Sequence, residues 1–318
     1  MTDSPGKSHT LPRTVNLSES PGPTQTSLVS MDTTAWCVAY IVVAIVTIIG
    51  NSIVVAALTH AKFAHKARRL FLISLSAADM LVGAVALPMF VFLIYPSGNA
   101  LASVSDQRLF STCYRALDIF TGFASMFTLA TISLEHVHAV IWPLEHRALR
   151  KRFYFLLVTT SWSLACVLAC VFLLTYVGGL LREDIFVYSQ TVLSFLSVVI
   201  ICVSYTAVWI KMKCWVRKAS QRLVGGQVHE RNLSMALAIV TLVFVVTWLP
   251  FHTMNIIVNF QESLIRHVSS DVIYFTKLLH YSNSFINPII YSLKLPEFRA
   301  AVKLIFRRIF KRVHETSL

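Results

Sequence analysis

Seven stretches of this sequence are each long and apolar enough to form a helix that crosses a bilayer, which takes roughly 20 residues. Only 14% of the residues are charged and the mean hydropathy is +0.66, whereas charged residues make up about a quarter of a soluble domain. The sequence therefore predicts an all-α membrane protein, a seven-transmembrane helix bundle. We place the spans at about 33–60, 69–95, 108–141, 153–178, 185–215, 231–260 and 270–294.

The basic residues indicate how this bundle lies in the membrane. Most of the 28 Lys and Arg residues fall between the first and second spans, the third and fourth, the fifth and sixth, and after the seventh. Cytoplasmic loops carry an excess of these residues, so we expect a multi-pass plasma-membrane protein with an extracellular N-terminus. The net charge of +13 then faces membrane lipid and an acidic cytosolic partner, and it requires no nucleic acid.

The two ends of the chain differ from the spans. Residues 1–32 are rich in Ser, Thr and Pro, which is typical of a disordered tail. This tail is predicted to be extracellular, with a glycosylation acceptor at Asn16. Residues 33–295 form the seven-helix domain. Residues 296–318 place apolar residues at 3–4 spacing among Arg and Lys, which predicts a short amphipathic helix on the inner leaflet and a short cytoplasmic tail. The tail ends in a pattern suited to a PDZ domain, through Thr316 and Leu318.

Polar side chains inside the spans fall at three depths. A polar group in hydrocarbon is costly, so each of these side chains is expected to face protein or water. At about 1.5 Å per residue, one outer layer holds Asp118 and Tyr281. A layer about 10 Å deeper can hold Asp79, Ser125, Asn283, Ser284 and Asn287. A third layer, at the cytoplasmic edge, holds Glu135, His136 and Glu230.

Two prolines indicate where the bundle can move. Pro250 and Pro288 are predicted to kink the sixth and seventh helices. Trp248 lies beside the first kink, where it can form the floor of an outer cavity and mark a moving segment. The plainer alternatives are that Trp248 only fills the core and that the buried carboxylate of Asp79 serves only helix packing.

Five patterns together resemble those of the rhodopsin-like (class A) G-protein-coupled receptors, over nearly all of residues 33–311. Each pattern alone is weak, but the set is highly specific. The patterns are Asn51 in the first span, Leu75-Ser76-Ala77-Ala78-Asp79 in the second, Trp162 in the fourth, Thr247-Trp248-Leu249-Pro250 in the sixth and Asn287-Pro288-Ile289-Ile290-Tyr291 in the seventh.

This resemblance implies a receptor that binds an extracellular small ligand and signals to a heterotrimeric G protein. It implies no cofactor other than an allosteric sodium ion, held by Asp79, Ser125, Asn283 and Asn287. Asp118 aligns with the aspartate that pairs with the ammonium of amine ligands, which favours a biogenic amine. The rest of the ligand pocket would be Tyr281, Trp248, Phe251, His252, Ser189, Asn255 and Lys277. The activation and G-protein face would be Glu135, His136, Tyr205, Glu230, Pro250, Pro288 and Tyr291.

Four positions depart from the family's pattern. His136 stands where the family has Arg, and an imidazole cannot form the paired bonds of a guanidinium. Cys113 resembles the disulfide cysteine at the top of the third helix, but the following outer loop has no Cys, so the usual bridge cannot form. Ser197 replaces the fifth-helix proline. Lys277 lies where it could itself neutralise Asp118.

These departures leave other functions open. A short outer loop without Cys and a fifth helix without Pro also resemble melanocortin and cannabinoid-type receptors, so a peptide- or lipid-sensing receptor is the first alternative. A receptor-like protein with weak or constitutive coupling is the second. A transporter or channel would show inverted repeats or broken helix pairs, which the sequence lacks. No nucleophile–base pair, phosphate loop or metal motif indicates an enzyme.

Overall fold

The computed structural model describes residues 23–60, 66–95, 104–218, 225–260, 268–294, 298–305 and 307, and these ranges contain helices and no strand. One π-helical turn, Val82–Ala86, joins the second and third helices. The helices are α1 (Pro23–His60), α2 (Lys66–Leu81), α3 (Leu87–Ile94), α4 (Val104–Ile141), α5 (Pro143–Ala148), α6 (Lys151–Gly178), α7 (Glu183–Lys218), α8 (Gly225–Phe260), α9 (Ser270–Lys294) and α10 (298–305).

The seven predicted spans correspond to α1, to α2 and α3 with the π turn between them, and to α4, α6, α7, α8 and α9. In the described part of the chain, five stretches are long and apolar enough to cross a membrane: Thr33–Thr59, Arg69–Ile94, Ser105–Ile141, Lys151–Gly178 and Glu183–Lys211. Helix α8 adds the shorter apolar stretch Leu242–Val258. Helix α9 contains many polar residues, most of them buried, and this composition lowers its mean hydropathy. The fold is the predicted seven-helix bundle of a multi-pass membrane protein.

Helix α4 lies at the centre of this bundle. It packs against α2, α6 and α7, while α9 packs against α8 and α1. The main apolar core joins these helices through side chains such as Phe71, Met126, Ile201 and Phe244. Lipid tails are as apolar as Leu, so association of the helices depends on close packing and polar contacts rather than on removing apolar surface from water.

The first helix begins earlier than we predicted. Residues 1–32 were expected to form a disordered tail, but α1 starts at Pro23. Proline suits a first helical position because its missing N–H would have no partner there and its φ angle already fits the helix. From that point the helix continues through polar residues into the apolar span that starts at Thr33. Residues 1–22, with the predicted glycosylation acceptor Asn16, lie outside the described residues.

The second span contains a π-helical turn that the sequence did not reveal. In this turn, Val82–Ala86, the backbone N–H of Leu87 donates to the carbonyl oxygen of Val82. One extra residue is thereby inserted, so the outer part of the span is rotated relative to the inner part. Gly83 lies in the turn against α1, where an added Cβ would be 3.1 Å from the Ala44 carbonyl oxygen. The absence of a side chain permits this close approach.

Pro250 and Pro288 lie inside the continuous helices α8 and α9, and a kink at either residue stays a prediction. Helix α10 follows α9 and is amphipathic. Phe298 and Ala301 are buried, whereas Arg299 and Lys303 are exposed. Its contact with the inner leaflet stays a prediction, and the predicted PDZ-binding residues lie outside the described residues, at Thr316 and Leu318.

Candidate functional site

A charged cluster lies between α4 and α9, at the end of the bundle that we call outer. Asp118 on α4 receives a bond on each carboxylate oxygen. Lys277 Nζ lies 2.5 Å from Oδ2, and the Tyr281 hydroxyl donates to Oδ1 at 2.8 Å. The Tyr281 hydroxyl also shares a 2.8 Å hydrogen bond with the hydroxyl of Tyr114. The structure therefore brings together the three residues that the sequence placed in the outer layer and at its edge, and it adds Tyr114.

The ammonium of Lys277 is surrounded by aromatic rings, which together with Asp118 we call the ammonium cage. Nζ lies 4.5, 5.1, 5.5 and 5.8 Å from four ring centroids, those of Phe251, Tyr281, Tyr114 and Phe90. A cation within about 6 Å of a ring centroid is attracted to the ring face. Sequence reasoning missed Tyr114 and Phe90. Tyr114 could have been found because it lies four residues from Asp118, on the same helix face.

Below the cage, aromatic and imidazole rings form a stacked floor. The His280 ring stacks on Phe251 at 4.3 Å and meets Trp248 edge-on at 4.5 Å, and His252 lies 5.3 Å from Trp248. Among the described residues, nothing pairs with Trp248 Nε1, His252 Nε2 or His280 Nδ1. Buried polar atoms normally have partners, so these three unpartnered atoms are an exception that needs an explanation. His280 was not predicted.

Of two further predicted pocket residues, one faces away from this cluster and the other lies a turn outside it. Ser189 was predicted to face the pocket, but it is exposed and its hydroxyl donates to the Phe186 carbonyl of its own helix. The reason is rotation: at 100° per residue, Ser189 lies roughly 100° from the buried stripe of α7, which includes Phe186, Ser194 and Ile201. Asn255 is half-buried on α8, one turn outside Phe251.

A cavity of about 10 Å³ lies just inside Asp118, close to the volume that one water molecule needs. Its lining includes His280 and Tyr281 on the outer side and Ser125, Asn283 and Ser284 on the inner side. Gly122 and Trp248 face each other across α4 and α8, and a Cβ on Gly122 would lie 3.3 Å from Trp248 Cη2. The cavity therefore connects the outer and middle polar layers beside the indole ring.

The middle layer is built around Asp79, which is fully buried. Asn287 Nδ2 donates to one carboxylate oxygen at 2.9 Å, and the Ser125 hydroxyl donates to the other at 3.4 Å. Asn283 is also buried, and its Oδ1 has no partner in the described part of the chain. Asn51 ties α1 to this layer by donating to the Ser284 carbonyl oxygen at 3.0 Å.

These groups fit a small hard cation. No basic side chain is paired with Asp79 among the described residues, and buried charges normally are paired. The donor set consists of a carboxylate, a hydroxyl and an amide oxygen without a partner, and oxygen ligands are the ones that hard cations prefer. Within the same ranges, no group of three or more His, Cys, Asp and Glu side chains is arranged for a metal.

A further polar contact fixes the fourth span. Trp162 Nε1 donates to the Ser74 hydroxyl at 2.8 Å, which joins α6 to α2. The sequence identified Trp162 as part of a pattern, but it gave no partner for the indole. The structure supplies that partner.

The inner end of α4 carries a contact that the sequence did not predict. His146 Nε2 on α5 lies 2.7 Å from Glu135 Oε1 and 3.2 Å from the Tyr154 hydroxyl. Glu135 is thereby joined to the short helix that follows its own span. The sequence gave no direct sign of this contact, because α5 begins only after the chain turns at Trp142 and Pro143.

The remaining inner residues are buried around the same edge. His136 is fully buried, with its ring 6.5 Å from that of Tyr205. The Tyr291 ring lies 6.4 Å from Phe298 of α10, and its hydroxyl has no partner among the described residues. The side chain of Glu230 lies outside the described residues.

Cys113 is exposed and forms no disulfide with any described residue. Four other cysteines in the described ranges also form no disulfide with a described residue; Cys37 is buried, and Cys166, Cys170 and Cys202 are exposed. Whether Cys113 forms a disulfide elsewhere in the chain stays a question for experiment.

Comparison with known proteins identifies the class of this bundle. The family described as seven-transmembrane receptors of the rhodopsin family matches residues 50–291, most of the chain. The chain therefore belongs to the rhodopsin family of seven-transmembrane receptors.

Individual relatives share about a quarter of their residues with this chain. The chain is 27% identical over 301 residues to trace amine-associated receptor 1 of Macaca mulatta, covering 84% of this chain and 86% of the relative. It is 26% identical over 306 residues to the histamine H2 receptor of Cavia porcellus, covering 88% and 82%. It is 25% identical over 287 residues to galanin receptor 2b of Danio rerio, covering 83% and 72%.

Proposed function

We propose that this protein is a plasma-membrane receptor, with its N-terminus outside the cell, that binds a small extracellular amine at Asp118 and signals to a heterotrimeric G protein. Binding at the cage would change the packing of Trp248 next to Pro250, where a kink is predicted. Movement of α8 would then carry the signal to the inner end of the bundle.

The observation that carries this proposal is the ammonium cage itself. The carboxylate of Asp118 and four aromatic rings already surround one ammonium, that of Lys277, at distances that stabilise a cation. An ammonium removed from water needs a carboxylate partner and gains from ring faces. Two of the relatives, by their names, recognise trace amines and histamine, and this supports the same ligand class.

The test compares responses to a panel of amines in cells that express the wild-type receptor or Asp118→Asn. Removing one partner of a buried charge pair costs about 2–5 kcal/mol, so the amine concentration for half-maximal response should rise by about 30-fold or more. Asp106→Asn is the matched control, because Asp106 is exposed at the outer end of the same helix. An unchanged amine response in Asp118→Asn contradicts the proposal.

A peptide receptor is the second candidate. It is favoured by similarity to galanin receptor 2b at nearly the same identity as the amine receptors and by the engagement of both Asp118 oxygens with protein groups. A panel of neuropeptides applied to the same cells separates the two. A peptide response that survives Asp118→Asn, with no amine response, favours the peptide receptor.

We also propose that sodium is an allosteric ligand of the middle layer. Asp79, Ser125, Asn283 and Asn287 would hold the ion, which would supply a positive charge to the buried carboxylate. Ligand affinity should then depend on sodium concentration in the wild type and lose this dependence in Asp79→Asn. Replacing sodium with N-methylglucamine keeps the ionic strength constant. Equal affinity in both salts for the wild type contradicts the sodium site.

A further inference from the structure

We propose that the ligand is a small zwitterion, such as an α-amino acid, whose ammonium binds Asp118 and whose carboxylate binds Lys277. The inference rests on the proposed function, because it takes the same cage as the ligand site. It changes the chemical class of the ligand, from a molecule with one positive charge to one that carries both charges close together.

The first step concerns what already occupies the cage. Lys277 and Asp118 keep only 11% and 14% of their side-chain surface exposed. Within the described ranges, Asp118 is the only carboxylate that the structure pairs with Lys277. Lys277 and Tyr281 each bond one carboxylate oxygen, and little of Asp118 is exposed. A ligand ammonium that takes the position among the ring faces would therefore displace Lys277.

The second step is a charge balance. If a simple amine displaces Lys277, the cage holds two ammonium groups and one carboxylate, and the lysine charge is left unpaired. Breaking a buried pair by taking away one partner is strongly unfavourable. If a zwitterion enters, its carboxylate receives Lys277 and its ammonium replaces Lys277 on Asp118. All four charges are then paired, so one ion pair is exchanged for two.

The third step is reach. Lys277 has a flexible four-carbon stem, which lets its ammonium move while the backbone of α9 stays in place. Lys277 lies four residues from Tyr281, toward the outer end of the helix. The ligand's carboxylate would therefore lie on the outer side and its ammonium on the inner side, against the rings of Phe251 and Tyr281.

The fourth step concerns the ligand's side chain. Below the cage, Trp248 Nε1, His252 Nε2 and His280 Nδ1 are buried, and none of them has a partner in the described part of the chain. These atoms lie among stacked rings. The floor is suited to an aromatic side chain that also forms hydrogen bonds, such as a phenol or an imidazole.

The experiment uses two sets of three probes. Within a set, the probes share one ring and differ in whether they carry the ammonium, the carboxylate or both. One set is tyrosine, tyramine and 3-(4-hydroxyphenyl)propionate, and the other is histidine, histamine and 3-(imidazol-4-yl)propionate. Each probe is tested on the full chain for signalling in cells. It is also tested on the purified receptor for the rise in thermal unfolding midpoint, a readout that does not depend on coupling. For the wild type, we expect a zwitterion to be at least about tenfold more potent than its two partners.

The variants identify the two charges separately. Lys277→Met keeps the length of the side chain without its charge, so the preference should shift by about tenfold or more toward the amine. Asp118→Asn should shift it toward the acid that lacks the amino group. Lys294→Met is the control, because Lys294 lies at the inner end of the same helix. This variant should prefer the zwitterion to the same degree as the wild type.

Each outcome decides one statement. If an amine is as potent as its zwitterion on the wild type, or more potent, the inference is overturned and the amine receptor stands. An unchanged ratio of zwitterion to amine potency in Lys277→Met has the same consequence. If no probe of either set acts on the wild type, the inference is contradicted, and the amine panel decides separately on the amine receptor. If Lys277→Met does not reach the cell surface, Asp118→Asn/Lys277→Met removes both charges together. Retained zwitterion preference in that double variant overturns the inference.

Discussion

Tyr281→Phe is the most informative single change in the ammonium cage. It removes one oxygen atom and keeps the ring, so the contacts of the ring with Tyr40 and Phe90 remain. The lost hydroxyl donates to Asp118 at 2.8 Å and shares a hydrogen bond with the Tyr114 hydroxyl, also at 2.8 Å. Tyr281 is 1% exposed, so no water replaces these bonds at once.

The size of the effect follows from the two bonds. A hydrogen bond to a charged group contributes about 1.5–3 kcal/mol, and a buried hydroxyl left without a partner costs about 1–3 kcal/mol. Tyr281→Phe should therefore destabilise the receptor by about 3 kcal/mol or more. Tyr114→Phe removes one bond between neutral groups, which contributes about 0.5–1.5 kcal/mol.

The assay is a double-mutant cycle on the purified receptor in detergent, read by thermal unfolding. The double variant should lose less stability than the two single variants together, because it leaves no orphaned hydroxyl at position 114. Equal effects of the two single substitutions, or strict additivity, would refute the hydrogen-bond chain from Tyr114 through Tyr281 to Asp118.

Three further predictions concern other parts of the bundle. Gly83→Ala should destabilise the receptor by about 1–3 kcal/mol, because the added Cβ overpacks against α1. Gly178→Ala is the control and should not destabilise it, because the added Cβ meets nothing within 4 Å. The thermal unfolding midpoints of the two variants are compared. Trp162→Phe removes the hydrogen bond to Ser74, so it should lower the free energy of unfolding by about 0.5–1.5 kcal/mol. Adding Ser74→Ala should cost little more, and independent losses would contradict that bond. His136→Arg should raise ligand-dependent G-protein activation in a nucleotide-exchange assay, and no gain would show that the missing guanidinium is compensated elsewhere.

The layering of polar residues could be predicted from the sequence, because depth depends only on the helical rise. Asp118 and Tyr281 meet as their positions along two helices require, and so do Asp79 and Asn287. Seven spans followed from length and hydropathy alone. Depth, however, does not fix which way each helix faces.

Rotation and backbone irregularity account for what the sequence did not reveal. Ser189 lies at the expected depth but on the wrong side of α7. The π turn after Leu81 rotates the helix that carries Phe90, and no local sequence pattern predicted this turn. Contacts across a chain reversal are equally hidden, which is why the pairing of Glu135 with His146 was missed.

The most direct test of the central claim is a cryo-electron microscopy structure of the receptor with a bound agonist from the amine or amino-acid panel. We expect a nitrogen atom of the ligand within about 3 Å of the Asp118 carboxylate, with Lys277 displaced from its present contact. A ligand bound elsewhere while Lys277 stays paired with Asp118 would contradict the assignment of this cage as the ligand site.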